Sequence, residues 1–453
     1  MAQTTIRGNF PGDISSESSS QTRLEKHHFT DTAFMASEWD NVWTKTWLFA
    51  GLESDLEDAG DYFIYELGSE SIVVMRNDHG EISAFYNVCQ HRGNRIFTNE
   101  SGYVNDVVCP YHGWRYEKDG TLKEVPDRER FAQEITAEQR SLKTVRHEVW
   151  SGFVWINMDK DAPPLSVYLG SLMTQLEPYQ FEKRVLTKHQ TVLLDANWKT
   201  VKDNFLEQYH VDFIHPQHAS MVDCCNSSNF LWPFGHSSTK VEGFTTNPRY
   251  PMPEAVPDYM QPLLEGLQLN PMDFQGRVAD IRKAVQTRKR ELANQFSCGY
   301  DLLDDDQLTD VWQYDFFPNL FMTIQAEELS VYGPRPHPTD PNKCFFDKWT
   351  LQLPIEACTD PEAGITLHPG LETSRRDERP EHDIFDREAV LNGEHSLTIT
   401  FDQDITYLPD MQAGMHSRGF DHALLNQDEA RVQHFHDWLA SWMDGIPEAL
   451  SKT

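Results

Sequence analysis

The chain has 453 residues, and its 39 Lys and Arg against 71 Asp and Glu give a formal net charge of −32. So acidic a surface repels polyanions, which argues against nucleic acid as a partner. With 39% hydrophobic and 12% aromatic residues, the chain can build a large core. No apolar run approaches the roughly 20 residues that a membrane-spanning helix needs. We therefore expect a globular protein that does not cross a membrane.

Residues 1–30 are predicted to be a mobile leader, because the Ser- and Gln-rich stretch 15–21 offers almost nothing to bury. The leader also lacks the apolar core of a secretory signal. Seven cysteines, an odd number scattered along the chain, argue against a disulfide framework. These features together favour a cytoplasmic protein.

Residues 31–50 are predicted to form a helix that packs on the large C-terminal domain. Apolar side chains recur there at helical spacing, at Phe34, Trp39, Val42, Trp43 and Trp47. The pattern runs from Phe34 to Gly51.

Residues 51–160 have the pattern of a small antiparallel β domain. Short β-rich runs such as YFIYEL and SIVVMR alternate with turn signals such as Asp78-His79-Gly80. A stretch with prolines from Asp159 to Pro164 then predicts a boundary. Helical and strand patterns alternate over residues 161–453, so a larger α+β domain is expected and the fold class is α+β.

Two Cys/His pairs lie in the β domain and indicate a metal site. Cys89 and His91 form the first pair, and Cys109 and His112 form the second. Two thiolates and two imidazoles suit tetrahedral zinc, and they equally suit a [2Fe–2S] cluster of the Rieske kind. The residue types alone leave both metals open.

A second constellation lies in the segment 197–216, NWKTVKDNFLEQYHVDFIHP. Asn204, Glu207 and His210 are three residues apart, which places them on one stripe of a predicted helix. His215 follows His210 by five residues, so on a regular helix the two imidazoles would diverge by about 140°. Pro216 disfavours helical backbone at His215, so a break there would let both imidazoles reach one metal ion.

Three sequences resemble motifs of the Rieske non-heme iron ring-hydroxylating oxygenases, in the terminal oxygenase alpha subunit. They are CQHRGNRIF and CPYHGWRYEKDG in the β domain, and the segment 197–216 just described. The resemblance implies a catalytic domain of the helix-grip type with an antiparallel sheet. It also implies that Cys89 and Cys109 hold the buried iron of a [2Fe–2S] cluster, and that His91 and His112 hold the outer iron.

The same resemblance implies a mononuclear Fe(II) bound by His210, His215 and a carboxylate far downstream, a set that leaves positions open for O₂. Asp404 is the expected third ligand because its distance to Gln412 fits the family best, and Asp402 is the alternative. Asn204, Glu207 and His210 are the expected catalytic residues. Better-known members carry Asp where this chain has Glu207, and there the carboxylate bridges to the cluster histidine of a neighbouring subunit, here His112.

The resemblance implies hydroxylation, once or twice, of an aromatic or other hydrophobic substrate with O₂. Electrons would come from NAD(P)H through a ferredoxin, a reductase or both, and the assembly would be a homotrimer or an α3β3 complex. Glu207 also occurs in branches that oxidise quaternary ammonium compounds or remove methyl groups, which gives the alternative function. From another class, a zinc-stabilised interaction protein without activity would use the first constellation only structurally.

Overall fold

The computed structural model describes the backbone of residues 5–6 and then residues 23–218, 222–367 and 379–445. The chain divides into two compact units. One contains Ser37–Tyr168, and the other combines Met1–Ala36 with Leu169–Ser451. The division after Tyr168 lies a few residues beyond the predicted boundary at residue 160.

The N-terminal segment contains β1 (Thr5–Ile6), β2 (Leu24–Glu25), α1 (His27–Thr30) and α2 (Thr32–Glu38). The predicted leader is too long, because residues 23–30 are structured. Leu24 and Phe29 are buried, and the Lys26 ammonium donates hydrogen bonds to the carbonyls of Ser417 and Phe420. Most of the rest of the predicted leader, residues 1–4 and 7–22, lies outside the described residues.

The prediction of a helix over residues 31–50 is wrong in its C-terminal part. After α2, residues Trp39–Trp43 form a π-helical turn, and Leu48–Leu52 is the strand β3. This strand pairs antiparallel with Phe153–Asn157. An apolar run buried on almost all sides suits a strand as well as a helix, so helical spacing alone misassigned it. Pairing with Phe153–Asn157 also places β3 in the first unit rather than in the larger one.

The first unit is built from short strands in three small sheets. One sheet has the order β6-β5-β4-β7, another β10-β9-β8, and the third β11-β12-β3. The elements are β4 (Asp61–Leu67), β5 (Glu70–Arg76), β6 (Ile82–Tyr86), β7 (Ser101–Tyr103), β8 (Val107–Val108), β9 (Arg115–Tyr116), β10 (Leu122–Glu124), α3 (Ala137–Arg140), β11 (Arg146–Trp150), β12 (Phe153–Asn157) and α4 (Leu165–Leu169), the last of which reaches the division between the units. All pairings within these sheets are antiparallel, as predicted.

The second unit is larger and mixes helices with a broad sheet. Its further elements are α5 (Leu172–Leu176), β13 (Val185–Leu194), α6 (Trp198–Phe205), α7 (Val211–Ile214), β14 (Val222–Leu231), β15 (Ser237–Gly243), α8 (Gln261–Gly266), α9 (Ile281–Leu292), β16 (Val311–Phe316), β17 (Leu320–Ile324), β18 (Glu328–Pro336), β19 (Cys344–Gln352), β20 (Thr359–Asp360), β21 (Ile365–Thr366), β22 (His382–Asp386), α10 (Arg387–Leu391), α11 (Ile399–Met415), β23 (His422–Ala423) and α12 (Ala430–Met443). The predicted α+β class is confirmed.

The nine-stranded sheet of this unit has the order β1-β14-β15-β16-β17-β18-β19-β13-β22. Its central pairs are antiparallel, and only the outermost pairs, β1 with β14 and β13 with β22, are parallel. One face of the sheet packs against helices. The centre of the Phe401 ring on α11 lies 4.9 Å from that of the Tyr332 ring on β18. That face therefore positions the helices that carry the second constellation.

A buried ion pair fixes α6 on the sheet. Lys202 on α6 and Asp315 on β16 are both fully buried and contact each other directly. Burial lowers the pKa of the Lys202 ammonium and raises the pKa of the Asp315 carboxyl, and each opposes the other's shift. Among the described residues, no helix combines the length and apolar character needed to cross a bilayer.

Candidate active site

The two Cys/His loops of the first unit have the same backbone hydrogen bonds. The Gly93 amide donates to the Cys89 carbonyl and the Gly113 amide to the Cys109 carbonyl, both at 3.0 Å. Each glycine has a left-handed backbone, with φ of 76° and 71°. A side chain there would strain the turn, so glycine is what allows each loop to fold back beside its cysteine.

The histidines of the two loops face each other. Their Nδ1 atoms lie 3.2 Å apart, and their rings meet edge to face. Two metal–nitrogen bonds of about 2.1 Å at an angle near 100° would separate the nitrogens by about this distance. The donor pair therefore fits two ligands of one metal ion. Trp114 stacks flat on His91, with 5.1 Å between ring centres, and covers one side of that ring.

The cysteines lie deeper than the histidines. Cys89 and Cys109 are 2% and 1% exposed, whereas His91 and His112 are partly exposed. Burial raises the pKa of the Cys89 thiol, and the neighbouring Cys109 adds to this rise. A cation would therefore have to offset the charge of both thiolates. An inner thiolate pair and an outer imidazole pair suit the two unlike irons of a Rieske cluster.

The second constellation is arranged differently from the prediction. Helix α6 ends at Phe205, so Asn204 is helical but Glu207 and His210 are not on its stripe. The Glu207 carboxylate accepts hydrogen bonds from the amides of Tyr209 and His210. Those bonds replace helical ones and turn the chain. The short α7 then ends at Ile214, so the chain breaks on both sides of it rather than only beside Pro216.

The breaks bring His210, His215 and Asp404 together. The Oδ1 atom of Asp404 lies 3.4 Å from Nε2 of His210 and 3.0 Å from Nε2 of His215. Metal bonds of about 2.1 Å at right angles would separate neighbouring donors by about 3.0 Å. Both histidine contacts are close to that value. The three groups could thus occupy one face of an octahedral ion and leave the opposite face open.

The Nδ1 atom of each imidazole contacts a hydrogen-bond acceptor. Nδ1 of His210 contacts Oε1 of Glu207, and Nδ1 of His215 lies 2.7 Å from Oε1 of Gln403. A proton on each Nδ1 leaves Nε2 free to bind a metal ion, so these acceptors select the useful tautomer. Metal-binding histidines are usually supported in this way.

The charges around the triad also suit a cation. Burial lowers the pKa of the His210 imidazole, but hydrogen bonds to Asp404 and Glu207 outweigh it and raise this pKa to about 10. Burial raises the pKa of the Asp404 carboxyl, but the two histidines outweigh it, so its pKa lies below the ordinary value. A buried carboxylate thus draws positive charge, which a proton or a metal ion can supply.

The remaining predicted residues lie apart from this contact set. Asp402 accepts hydrogen bonds from the Leu397 amide and the Ser396 hydroxyl, so the structure brings Asp404 rather than Asp402 to the histidines. The buried Nδ2 of Asn204 has no hydrogen-bond partner among the described residues. A buried amide without a partner is available to a ligand, and the catalytic role of Asn204 stays a prediction.

Sequence reasoning missed the side chains that tie the histidine loop to α11. Gln403 pairs with Gln217, and Nε2 of His218 lies 2.9 Å from the Thr400 hydroxyl. Burial lowers the pKa of His218 to about 4, so its ring is neutral near pH 7. Only the proximity of His218 to His215 and of Gln403 to Asp404 along the chain could have indicated them.

Family models match both units. Residues 46–145 match the model of the Rieske [2Fe-2S] domain, and residues 177–445 match that of the ring hydroxylating alpha subunit (catalytic domain). The second match alone covers more than half of the chain. The chain belongs to the ring-hydroxylating alpha subunits. Members of this family combine a [2Fe–2S] cluster with a mononuclear non-heme iron, and the two donor sets described above fit these two cofactors.

Curated relatives of this ring-hydroxylating alpha subunit include both monooxygenase and dioxygenase components. The carnitine monooxygenase oxygenase subunit of Escherichia coli (strain K12) is 34% identical over 197 residues, which is 43% of this chain and 52% of that protein. The large oxygenase component of the naphthalene 1,2-dioxygenase system of Pseudomonas putida is 32% identical over 204 residues, 43% of this chain and 45% of that protein. The matches thus span about half the length of these relatives.

Solved structures share the fold over nearly the whole alpha subunit. The quaternary ammonium Rieske monooxygenase CntA, in complex with L-carnitine, has a TM-score of 0.64 at 17% identity and covers 93% of this chain and 95% of that chain. Naphthalene 1,2-dioxygenase with indole bound has a TM-score of 0.66 at 18% identity and covers 95% and 96%. The recognition of the family from its motifs is confirmed.

Proposed function

We propose that this protein is a cytoplasmic terminal oxygenase component that hydroxylates, once or twice, a small aromatic or other hydrophobic substrate. The observation that carries the proposal is the convergence of two Nε2 atoms on one carboxylate oxygen, at 3.0 and 3.4 Å from it. None of the seven cysteines forms a disulfide, which agrees with a reducing compartment.

Two sets of ligands are proposed. The cluster ligands are Cys89, His91, Cys109 and His112, and the iron ligands are His210, His215 and Asp404. The bound groups would supply one-electron transfer at the first site and activation of O₂ at the second.

The chain's own residues would hold, orient and connect these sites. Glu207 and Gln403 fix the two imidazoles, and the unpaired amide of Asn204 is proposed to orient a ligand beside the iron. Glu207 is also proposed to bridge to His112 of a neighbouring subunit, which implies a homotrimer, with or without a small β subunit. A ferredoxin, a reductase or both would deliver electrons from NAD(P)H.

A specific observation keeps a second function in view. Glu207 stands where better-known ring hydroxylases have Asp, and relatives include oxygenase subunits named for glycine betaine and carnitine. The alternative is therefore a monooxygenase or demethylase of quaternary ammonium or methylated compounds. A zinc-stabilised interaction protein is not supported, because the two domains match the models of a Rieske [2Fe-2S] domain and of a ring hydroxylating catalytic domain.

A reconstituted assay tests the proposal and separates the two substrates. The holoprotein is combined with a generic ferredoxin, a reductase and NADH, and O₂ uptake is measured with neutral aromatics, aromatic acids and trimethylammonium compounds. Substrate-dependent uptake with formation of a hydroxylated aromatic supports the main proposal. Uptake only with trimethylammonium compounds supports the alternative, and no uptake with any of them contradicts both.

Substitution of Glu207→Gln should slow electron transfer from cluster to iron while both metals stay bound. The substitution keeps the length of the side chain but removes the charge that polarises His210. Stopped-flow measurement of cluster reoxidation in a single turnover checks this. Glu265→Gln on the exposed surface of α8 is the control and should react like the wild type, whereas an unchanged rate in Glu207→Gln would rule out the bridging role.

Substitution of Gln403→Leu should weaken metal binding by about 10- to 100-fold, since partners of metal-bound histidines typically contribute that much. Without the acceptor, Nδ1 of His215 loses the bond that sets its tautomer. Titration of the metal-stripped protein with Co(II), followed by visible absorption, measures the affinity. Tyr407→Leu, exposed on the same helix, should bind Co(II) normally. Equal affinities in the two variants would contradict the role of Gln403.

A further inference from the structure

A buried lysine on the helix-covered face of the sheet has no carboxylate partner. Lys348 on β19 is 1% exposed, and its ammonium donates one hydrogen bond, of 3.0 Å, to the Thr350 hydroxyl. Lys202 and Lys289, buried in the same unit, contact Asp315 and Glu327 respectively. Among the described residues, no carboxylate forms such an ion pair with Lys348. An unpaired buried charge is costly, so an anionic ligand at Lys348 would stabilise the site.

One amide oxygen beside Lys348 also lacks a hydrogen-bond partner. Gln190 on β13 and Tyr332 on β18 are its direct neighbours on the two adjoining strands. The buried Oε1 of Gln190 has no hydrogen-bond partner among the described residues. Buried donors and acceptors are rarely left unpaired. An oxyanion at the ammonium, with a water molecule or a hydroxyl group at the amide oxygen of Gln190, would satisfy both.

Lys348 contacts an aromatic ring on the helix that carries Asp404, one of the proposed iron ligands. Its ammonium is 5.2 Å from the centre of the Phe401 ring, and Phe401 precedes Asp404 by one turn of α11. The same ring lies 5.4 Å from that of Phe205 on α6. An anionic group held by Lys348 would thus leave the rest of a small molecule beside Phe401, on the side of α11 that carries Asp404.

We propose that Lys348 forms a subsite for the carboxylate of the substrate, which is therefore a small organic acid with an apolar or methylated body. This inference rests on the proposed oxygenase function and narrows its substrate class. Burial lowers the pKa of the Lys348 ammonium to about 8. Glu328 on β18 and Asp402 on α11 oppose this shift, and Lys188 on β13 adds to it. A carboxylate that binds beside Lys348 would likewise stabilise the charged form of its ammonium.

Calorimetric titration of the holoprotein tests the subsite. The probes are benzoate and carnitine, each compared with its primary amide. The wild type should bind at least one acid more tightly than its amide, and Lys348→Met should weaken that acid by about 10- to 100-fold, as expected for loss of a charged hydrogen bond, without affecting the amide. Lys348→Arg, which keeps the charge, should retain a preference for the acid. Lys188→Met removes an exposed lysine from a neighbouring strand and is the matched control.

Thermal stability gives a second readout. Removal of an unpaired buried charge should raise the melting temperature of the ligand-free Lys348→Met protein. Equal binding of acids and amides by the wild type, no binding of any probe, or unchanged acid binding by Lys348→Met would overturn the subsite. Iron content and O₂ uptake with neutral substrates are measured on the same samples, so failure of the oxygenase proposal is distinguished from failure of the subsite.

Discussion

Substitution of Asp404→Ala should empty the mononuclear site and reduce substrate-dependent O₂ uptake to an undetectable level. Asp404 is 2% exposed, and its Oδ1 atom faces Nε2 of both His210 and His215, so it offers the only carboxylate oxygen in this set of three donors. Two imidazoles without it would bind Fe(II) weakly. The visible spectrum of the cluster should be unchanged, because its proposed ligands belong to the other unit.

Asp402→Ala is the matched control, two residues earlier on the same helix. Its carboxylate caps the turn that precedes α11 by accepting from Leu397 and Ser396. Its removal should cost about 1 kcal/mol of stability and leave the iron bound. Metal analysis and oxygen-electrode assays on both variants measure the difference. Retention of iron by Asp404→Ala together with its loss from Asp402→Ala would reverse the assignment of the third ligand.

Substitution of Lys202→Met should destabilise the protein by about 3–5 kcal/mol, because it leaves the Asp315 carboxylate buried without its partner. The Lys202 ammonium also lies over the rings of Phe321 and Phe435, 4.4 and 4.8 Å from their centres. A loss of this size should lower the melting temperature by about 5 °C. Tryptophan fluorescence during heating measures it.

The double variant Lys202→Met with Asp315→Leu distinguishes the cost of an unpaired charge from the cost of lost packing. Replacement of both charges by apolar groups of similar volume is often neutral or stabilising, so the double variant should regain most of the lost melting temperature. If the double variant is as unstable as Lys202→Met alone, the cost arises from packing around α6 rather than from the unpaired charge.

The motifs could be predicted from sequence because their geometry is local. Each Cys/His loop spans only a few residues, and its glycine sets the turn, so spacing alone placed Cys89 beside His91 and Cys109 beside His112. The carboxylate proposed as the third ligand was harder to predict, since Asp404 lies far along the chain and Asp402 has the same chemistry. Tertiary packing, which brings α11 against α6, distinguishes the two carboxylates.

The wrong predictions also concern features that depend on tertiary contacts. Burial on all sides made residues 48–52 compatible with a helix, and only pairing with β12 shows that they form a strand. Glu207 was placed on a helical stripe, whereas its carboxylate caps the amides of Tyr209 and His210 and ends the helix. Acceptors such as Gln403 and unpaired charges such as Lys348 become visible only when their neighbours in space are known.

Iron analysis combined with Mössbauer spectroscopy of the purified holoprotein tests the central claim most directly. We expect two kinds of iron in each chain, a sulfide-bridged pair in the first unit and a single Fe(II) without sulfide ligands in the second, in a two-to-one ratio. His210→Ala should remove only the second kind. One kind of iron alone, or zinc in place of iron, would contradict the assignment of two distinct metal sites.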